Sequence, residues 1–279
     1  MFILQNWKQY FDDHHEGLGT TYERFILHDY FAKIKDRYGI KNVLEVPSFG
    51  MTGVSGINSL WWAANGAEVT LIDDNRERME LIEKVWRETR LEVKVVSGAK
   101  AHGKLPFNDK TFDLGWNFAG LWFVPELDEF LNELSRVSKK VIFICVPNSN
   151  SIFNAPRLSA LKKQGDLCLE SIDAKRIKEV MTRLGWLSAE EGWLDCPPWP
   201  DIAMKKEDLL KNIGLSFLVK QGKAAEDNCL CILDYFNGKN KNMEKEIRKH
   251  SWLENSPGLF KRFWAHHRYF IFIPKGNDL

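Results

Sequence analysis

Hydrophobic positions along this chain follow two periods in alternation. Short apolar runs predict buried strands, and apolar residues three or four apart predict amphipathic helices between them. The predicted strands are residues 43–46, 68–72, 92–96, 112–116, 140–146, 188–195 and 269–273. The predicted helices lie before residue 41 and at about 56–65, 75–89, 125–137, 173–184, 205–213 and 242–250. This order predicts an α/β fold, with a mostly parallel sheet and helices on both faces.

The first strand and the loop after it carry the most specific pattern. Glu45 closes the strand, and glycines follow at Gly50, Gly53 and Gly56, while the next strand ends on Asp73. Strand, glycine loop, helix, strand and acid form a nucleotide-binding βαβ unit, in which the second carboxylate accepts the ribose hydroxyls. A carboxylate is costly to bury unpaired, so Glu45 is predicted to bind a ligand or to organise the loop.

The order of motifs resembles the class I S-adenosylmethionine-dependent methyltransferases, and within them methyltransferase type 11. Four segments carry the resemblance: Val43-Leu-Glu-Val with its glycine loop, residues 68–73, the turn at 105–113, and the helix at 126–137 with the strand after it. The resemblance implies a Rossmann-like seven-stranded sheet with an antiparallel last strand. It also implies S-adenosyl-L-methionine as cofactor and methyl transfer to a small-molecule, apolar or aromatic acceptor.

Two departures from the family pattern stand in the sequence. The first loop is about five residues longer than usual and begins with Pro47 and Phe49. The sequence therefore leaves open which of its residues bind the methionine moiety of the cofactor. The strand at 92–96 is followed by Ser97-Gly98-Ala99-Lys100, with no acid for the adenine amine. A NAD-dependent oxidoreductase, the rival enzyme, needs glycines at i, i+2 and i+5 rather than i, i+3 and i+6. A non-catalytic nucleotide-binding protein is the third alternative.

The resemblance implies four segments. Residues 1–41 form a helical segment over the cofactor, in which Tyr22 and Glu23 close over the site, with Thr20 or Thr21 as N-cap. Residues 42–196 form the core, 197–262 a substrate cap, and 263–279 the last strand of the core.

Further candidates follow the predicted strands, where ligands bind in such sheets. Asn117 comes directly after the fourth strand and is a candidate cofactor ligand or turn residue. Stacked prolines present Trp199 and Asp201 rigidly beyond the sixth strand, as candidate acceptor-binding residues. The family's last strand begins at the same edge, so His266 and His267 are candidate general bases.

Composition narrows the partners. The net charge of +1 gives no global field to hold a polyanion, so nucleic acid is not favoured as a partner. Within the methyltransferase class, the alternative to a small-molecule acceptor is RNA or protein. Five cysteines form no paired framework, and Cys229-Leu-Cys231 has no second ligand pair nearby, so no metal is predicted. The N-terminus carries no signal-peptide pattern and no stretch approaches a membrane span, which predicts a cytoplasmic protein.

Overall fold

The computed structural model describes residues 16–48, 56–97, 103–154, 167–198 and 230–276. Four predicted site residues, Gly50, Gly53, Trp199 and Asp201, lie outside these ranges, as do the predicted helix at 205–213 and most of the predicted cap. None of the helices within the described ranges is long and apolar enough to cross a lipid bilayer.

Seven strands form one sheet in the order β3-β2-β1-β4-β5-β7-β6. Their bounds are β1 Asn42–Glu45, β2 Glu68–Asp73, β3 Lys94–Ser97, β4 Phe112–Phe118, β5 Ser138–Pro147, β6 Trp186–Leu194 and β7 His267–Pro274. Strands β1 to β5 pair in parallel, and β7 runs antiparallel to both of its neighbours, β5 and β6. The predicted Rossmann-like sheet with an antiparallel last strand is therefore confirmed.

The described helices connect these strands or follow them. They are α1 Gly17–Tyr38, α2 Leu60–Ala64, α3 Arg76–Thr89, α4 Leu127–Val137, α5 Ala174–Arg183, α6 Ile232–Phe236, α7 Met243–Arg248 and α8 Gly258–Trp264. Single 3₁₀ turns lie at Ile57–Ser59, Leu121–Phe123, Leu169–Ile172 and Ser251–Asn255. The late helices α6 and α7 share a hydrophobic core with α1, on the same face of the sheet.

Both faces of the sheet are covered, because successive side chains of a strand point in opposite directions. In β5, Phe143 and Cys145 pack with α1, α2 and α3, whereas Ile142 and Ile144 pack with α4 and α5. Both faces are therefore apolar, which explains why the strand is an uninterrupted hydrophobic run. The predicted helices on both faces are confirmed.

The start of α1 tests the predicted caps, and side chains cap the starts of α3 and α5. Helix α1 begins at Gly17, so the predicted caps Thr20 and Thr21 are wrong and both lie inside the helix. Asn75 caps α3 by accepting a hydrogen bond from the Arg78 amide. Asp173 caps α5, because its side chain accepts a hydrogen bond from the Lys175 amide.

A buried arginine ties α1 to two distant segments. Arg24 is 2% exposed and pairs with Glu16 at 2.8 Å, and it also donates to the side chain of Asn58. Glu16 in turn donates its amide to the Leu230 carbonyl at 2.8 Å. A charge buried this deeply is stable only when it is paired. This network therefore fixes α1 to the 3₁₀ turn that contains Asn58 and to the segment before α6.

Candidate active site

One edge of the sheet collects the polar residues singled out in the sequence. Glu45 ends β1 beside Trp116 of β4, and Asp73 ends β2. At the other end of the same edge, the start of β7 lies beside the last residues of both neighbours, since His267 pairs with Pro147 and with Leu194. The carboxyl ends of the parallel strands and the first residue of β7 therefore meet, as predicted for a ligand-binding edge.

Glu45 is held inside the protein at the end of β1. Its side chain accepts a hydrogen bond from Ser59 Oγ at 2.5 Å, and the residue is only 4% exposed. Burial raises the pKa of this carboxyl to about 8, although the Ser59 hydrogen bond and the nearby Arg24 both oppose the shift. Glu45 thus ties the first strand to the 3₁₀ turn at Ile57–Ser59.

Gly56 closes the base of the same loop. It adopts a φ of 73°, and a Cβ atom added there would lie 2.2 Å from a methyl carbon of Leu71. Its amide donates to the Ser48 carbonyl at 3.0 Å, and Ser48 Oγ donates to the Ile72 carbonyl at 2.9 Å. Only glycine meets both the backbone and the space requirement at this position.

Asp73 ends β2 as a buried carboxylate with local partners. It accepts the Asn75 amide at 2.8 Å and Arg78 Nε at 3.0 Å on Oδ1 and 2.9 Å on Oδ2. Arg78 also binds Asp74 at 2.8 Å. These donors fix the direction of the Asp73 carboxylate, and Oδ2, which accepts one of them, keeps a lone pair for a ligand.

Asn117 corrects one prediction of position. Strand β4 continues to Phe118, so Asn117 lies within the strand rather than after it, and the interpretation as a turn residue is wrong. The residue is 0% exposed, and neither its amide nitrogen nor its amide oxygen has a hydrogen-bond partner among the described residues. A buried amide without hydrogen-bond partners is costly, so a bound ligand or water would stabilise the protein by bonding to it.

His266 and His267 converge on one carboxylate that follows β6. Asp195 Oδ2 lies 2.9 Å from Nδ1 of His266 and 3.4 Å from Nδ1 of His267. Glu23 of α1 brings its Oε2 within 3.7 Å of the same His267 nitrogen. Burial alone would raise the pKa of Asp195, but the two imidazoles outweigh burial, so its pKa lies below the usual range and the carboxylate is ionised.

Aromatic and polar side chains surround this group. The ring of Phe118, the last residue of β4, lies 4.4 Å from the His267 ring between centroids. Tyr22, the neighbour of Glu23 on α1, donates its hydroxyl to Glu254 at 3.0 Å and to the Cys196 carbonyl at 3.3 Å. Glu254 also accepts the amide of Cys196, the residue after Asp195. Helix α1 is thereby joined to the segment after β6.

The structure thus sorts the described candidates into two groups. Glu45, Gly56 and Asp73 lie at the β1–β2 end of the edge, and His266 and His267 at the β6–β7 end, with Asn117 on β4 between them in the strand order. Sequence reasoning missed Asp195 as a site residue. The signal was present, because Asp195 follows a strand as directly as Glu45 ends one.

Three comparisons bear on the family. The family model of the methyltransferase domain type 11 matches residues 50–144, about a third of the chain. No curated protein matches the sequence.

Solved structures with this fold are similar over most of the chain. A putative sarcosine dimethylglycine methyltransferase from Galdieria sulphuraria is 11% identical, with a TM-score of 0.55 over 89% of this chain and 85% of the other. A geranyl diphosphate C-methyltransferase from Streptomyces coelicolor A3(2), solved with S-adenosyl-L-homocysteine, is 12% identical, with a TM-score of 0.50 over 88% and 78%.

A third similar structure shows what the fold leaves open. The [4+2]-cyclase SpnF is 15% identical, with a TM-score of 0.51 over 90% of this chain and 80% of the other. One fold therefore carries differently named activities, so the reaction must be argued from motifs and site. The methyltransferase domain model thus matches residues 50–144, and the strand order agrees with the fold of the similar methyltransferase structures.

Proposed function

We propose that this enzyme methylates a small-molecule acceptor with an apolar or aromatic part, bound at the β6–β7 end of the edge. The observation that carries the proposal is the convergence of His267, Asp195 and Glu23 beside the aromatic ring of Phe118. Two structurally similar proteins are named for small-molecule substrates, which supports the same class here. Trp199 and Asp201 remain predicted acceptor-binding residues.

The β1–β2 end fits the cofactor. Gly56 leaves no side chain beside the first loop, Asp73 offers an oriented carboxylate for the ribose, and Asn117 holds a buried amide without partners. Glu45 would hold the loop in shape, and Gly50 and Gly53 belong to the same predicted loop. When bound, S-adenosyl-L-methionine would supply an electrophilic methyl group to the lone pair of the acceptor, with its sulfur as the leaving group.

The two histidines take different roles in this proposal. The carboxylates of Asp195 and Glu23 lie around Nδ1 of His267, which forms no hydrogen bond within the described ranges, so Nδ1 is the nitrogen that takes a proton from an acceptor bound there. His266 is 4% exposed and bonds the same Asp195 through its own Nδ1, which orients the carboxylate. His267 is therefore the general base, and His266 a positioning residue.

The experiment separates the acceptor classes and the base. The protein is incubated with S-adenosylmethionine and the small-molecule, RNA or protein fraction of a cell extract, and the S-adenosylhomocysteine formed is measured. We expect product with the small-molecule fraction. His267→Ala should lower turnover by about 10²–10⁴ and leave the affinity for S-adenosylhomocysteine, measured by calorimetry, unchanged.

Two results would contradict the proposal. Turnover with the RNA or protein fraction alone would replace the acceptor class. If His267→Ala changed only the apparent affinity for the acceptor, the imidazole would have a binding role rather than a chemical one.

A further inference from the structure

The cluster of Glu23, Asp195 and His267 combines two carboxylates with one imidazole from three separate elements. Their ligand atoms all lie within 4.8 Å of one another. We infer that this cluster binds the acceptor as a protonated primary or secondary amine, so that the enzyme is an N-methyltransferase. This inference rests on the proposed function and names the substrate class for the same site.

The hydrogen bonding of Asp195 points to a missing cationic donor. Its side chain is 2% exposed, and Oδ1 has no hydrogen-bond partner among the described residues. The other oxygen, Oδ2, bonds His266, and no lysine or arginine of the described chain pairs with this carboxylate. A buried carboxylate oxygen without a hydrogen-bond partner destabilises the fold, and it can accept a hydrogen bond from the N–H group of a ligand.

The distances at His267 fit a group placed between the side chains rather than direct bonds. Its Nδ1 is 3.4 Å from Asp195 and 3.7 Å from Glu23, both beyond a normal N–H to O hydrogen bond, and this buried nitrogen forms none within the described ranges. The side chains of Glu23 and His267 are both 12% exposed, so they are largely shielded from solvent but can still be reached by a ligand. An ammonium group carries two or three N–H donors, which is the number of acceptors offered here.

The charge and the wall of the site favour a cation over a neutral acceptor. The two carboxylates carry like charges and lie close together, so a cation placed between them would reduce their repulsion. The ring of Phe118 lies against His267, and a ring face attracts an ammonium group as well as an apolar substituent. A neutral alcohol or thiol would not reduce this repulsion.

The proton transfer completes the assignment. An ammonium has no lone pair, so it must lose one proton before the nitrogen can attack. In this scheme Nδ1 of His267 takes that proton, the amine nitrogen keeps the bonding pair as its lone pair, and the imidazolium later releases the proton to water. Glu23 and Asp195 hold the remaining N–H bonds, which fixes the direction of the lone pair.

Matched amines and alcohols test this inference without turnover. Benzylamine, cyclohexylamine and butylamine, and the alcohols of the same three skeletons, are titrated by calorimetry into the protein saturated with S-adenosylhomocysteine. We expect at least one amine to bind about tenfold or more tightly than its alcohol, since hydrogen bonds to charged groups are the stronger ones. Glu23→Gln should reduce this preference to less than about threefold.

Two further variants complete the design. Asp195→Asn should also abolish the preference, and Glu23→Gln carries the test if that more deeply buried variant fails to fold. Asp36→Asn, a neutralised carboxylate in the exposed part of the same helix α1, should retain the full preference. The three variants together distinguish local recognition from the loss of one negative charge.

Three outcomes would overturn the inference. The first is that no amine binds more tightly than its alcohol, and the second is that Glu23→Gln leaves the preference intact. The third is that Mn²⁺ or Zn²⁺ binds the parent protein and not Glu23→Gln, while the amines show no preference, which would make the cluster a metal site. Turnover of the parent protein with the small-molecule fraction, measured separately, distinguishes these failures from a failure of the proposed acceptor class.

Discussion

The two ends of the ligand-binding edge are built from different ranges of sequence. At the β1–β2 end, Asp73 takes its partners from the next five residues, Asn75 and Arg78. At the β6–β7 end, Asp195 meets His267 and Glu23, which are separated from it by 72 and 172 positions. The first end is a local motif that one βαβ unit carries, whereas the second exists only after the whole sheet and α1 have assembled.

This difference determines how each end should respond to substitution. A local motif concentrates its requirements on few positions, so single changes there should act on folding as well as on binding. An assembled cluster takes one side chain from each element, so neutral replacements should remove its chemistry and spare the fold. The three predictions below test the β1–β2 end, where the contacts of single residues determine the expected effect of each substitution.

The largest effect is expected from Gly56→Ala. The new methyl group would lie 2.2 Å from a Leu71 methyl carbon, and Leu71 is fully buried, while alanine at a φ of 73° adds backbone strain. The two penalties together should lower the free energy of unfolding by about 2–4 kcal/mol, measured by chemical denaturation.

Gly66→Ala is the matched control for that substitution. Gly66 adopts a φ of 80°, and nothing lies within 4 Å of an added Cβ atom, so only the backbone term of about 1 kcal/mol remains. Equal losses in the two variants would show that the contact with Leu71 does not constrain the loop.

The same contrast explains how much the sequence could predict. Strand positions followed from apolar runs, and Glu45, Gly56 and Asp73 from the spacing of one motif, because each depends on neighbours along the chain. The pairing of Asp195 with His266 and His267 depends on the antiparallel β7 lying between β5 and β6, which no local pattern states. Asn117 was placed after its strand because its polar side chain interrupts the apolar pattern, whereas β4 continues to Phe118.

A second prediction concerns pH and Glu45. The pKa of this buried carboxyl is raised from 4.5 to about 8, so between these values the folded state keeps a proton that the unfolded state has lost. Stability should therefore fall as pH rises through this window, with no contribution from Glu45 below about pH 4.5. Between about pH 5.5 and about pH 7, Glu45 should account for a loss of about 2 kcal/mol.

Glu45→Gln isolates that contribution. The difference in unfolding free energy between variant and parent, measured by denaturation across the window, should grow in favour of the variant as pH rises. Glu68→Gln, at an exposed position at the start of β2, should follow the parent curve. A constant difference between Glu45→Gln and the parent would mean that Glu45 is ionised throughout.

The smallest of the three effects, and the sharpest test of the local end, is expected from Asp73→Asn. If Asp73 accepts the ribose hydroxyls, the amide loses the charge-assisted bonds, and affinity for S-adenosylhomocysteine should fall about tenfold by calorimetry. The loss of a partner for Arg78 is a competing cause. Asp74→Asn tests it, because Asp74 binds the same guanidinium at 2.8 Å and is 47% exposed. A comparable loss in Asp74→Asn would assign the effect to the placement of Arg78, whereas a loss confined to Asp73→Asn supports direct binding of the ribose.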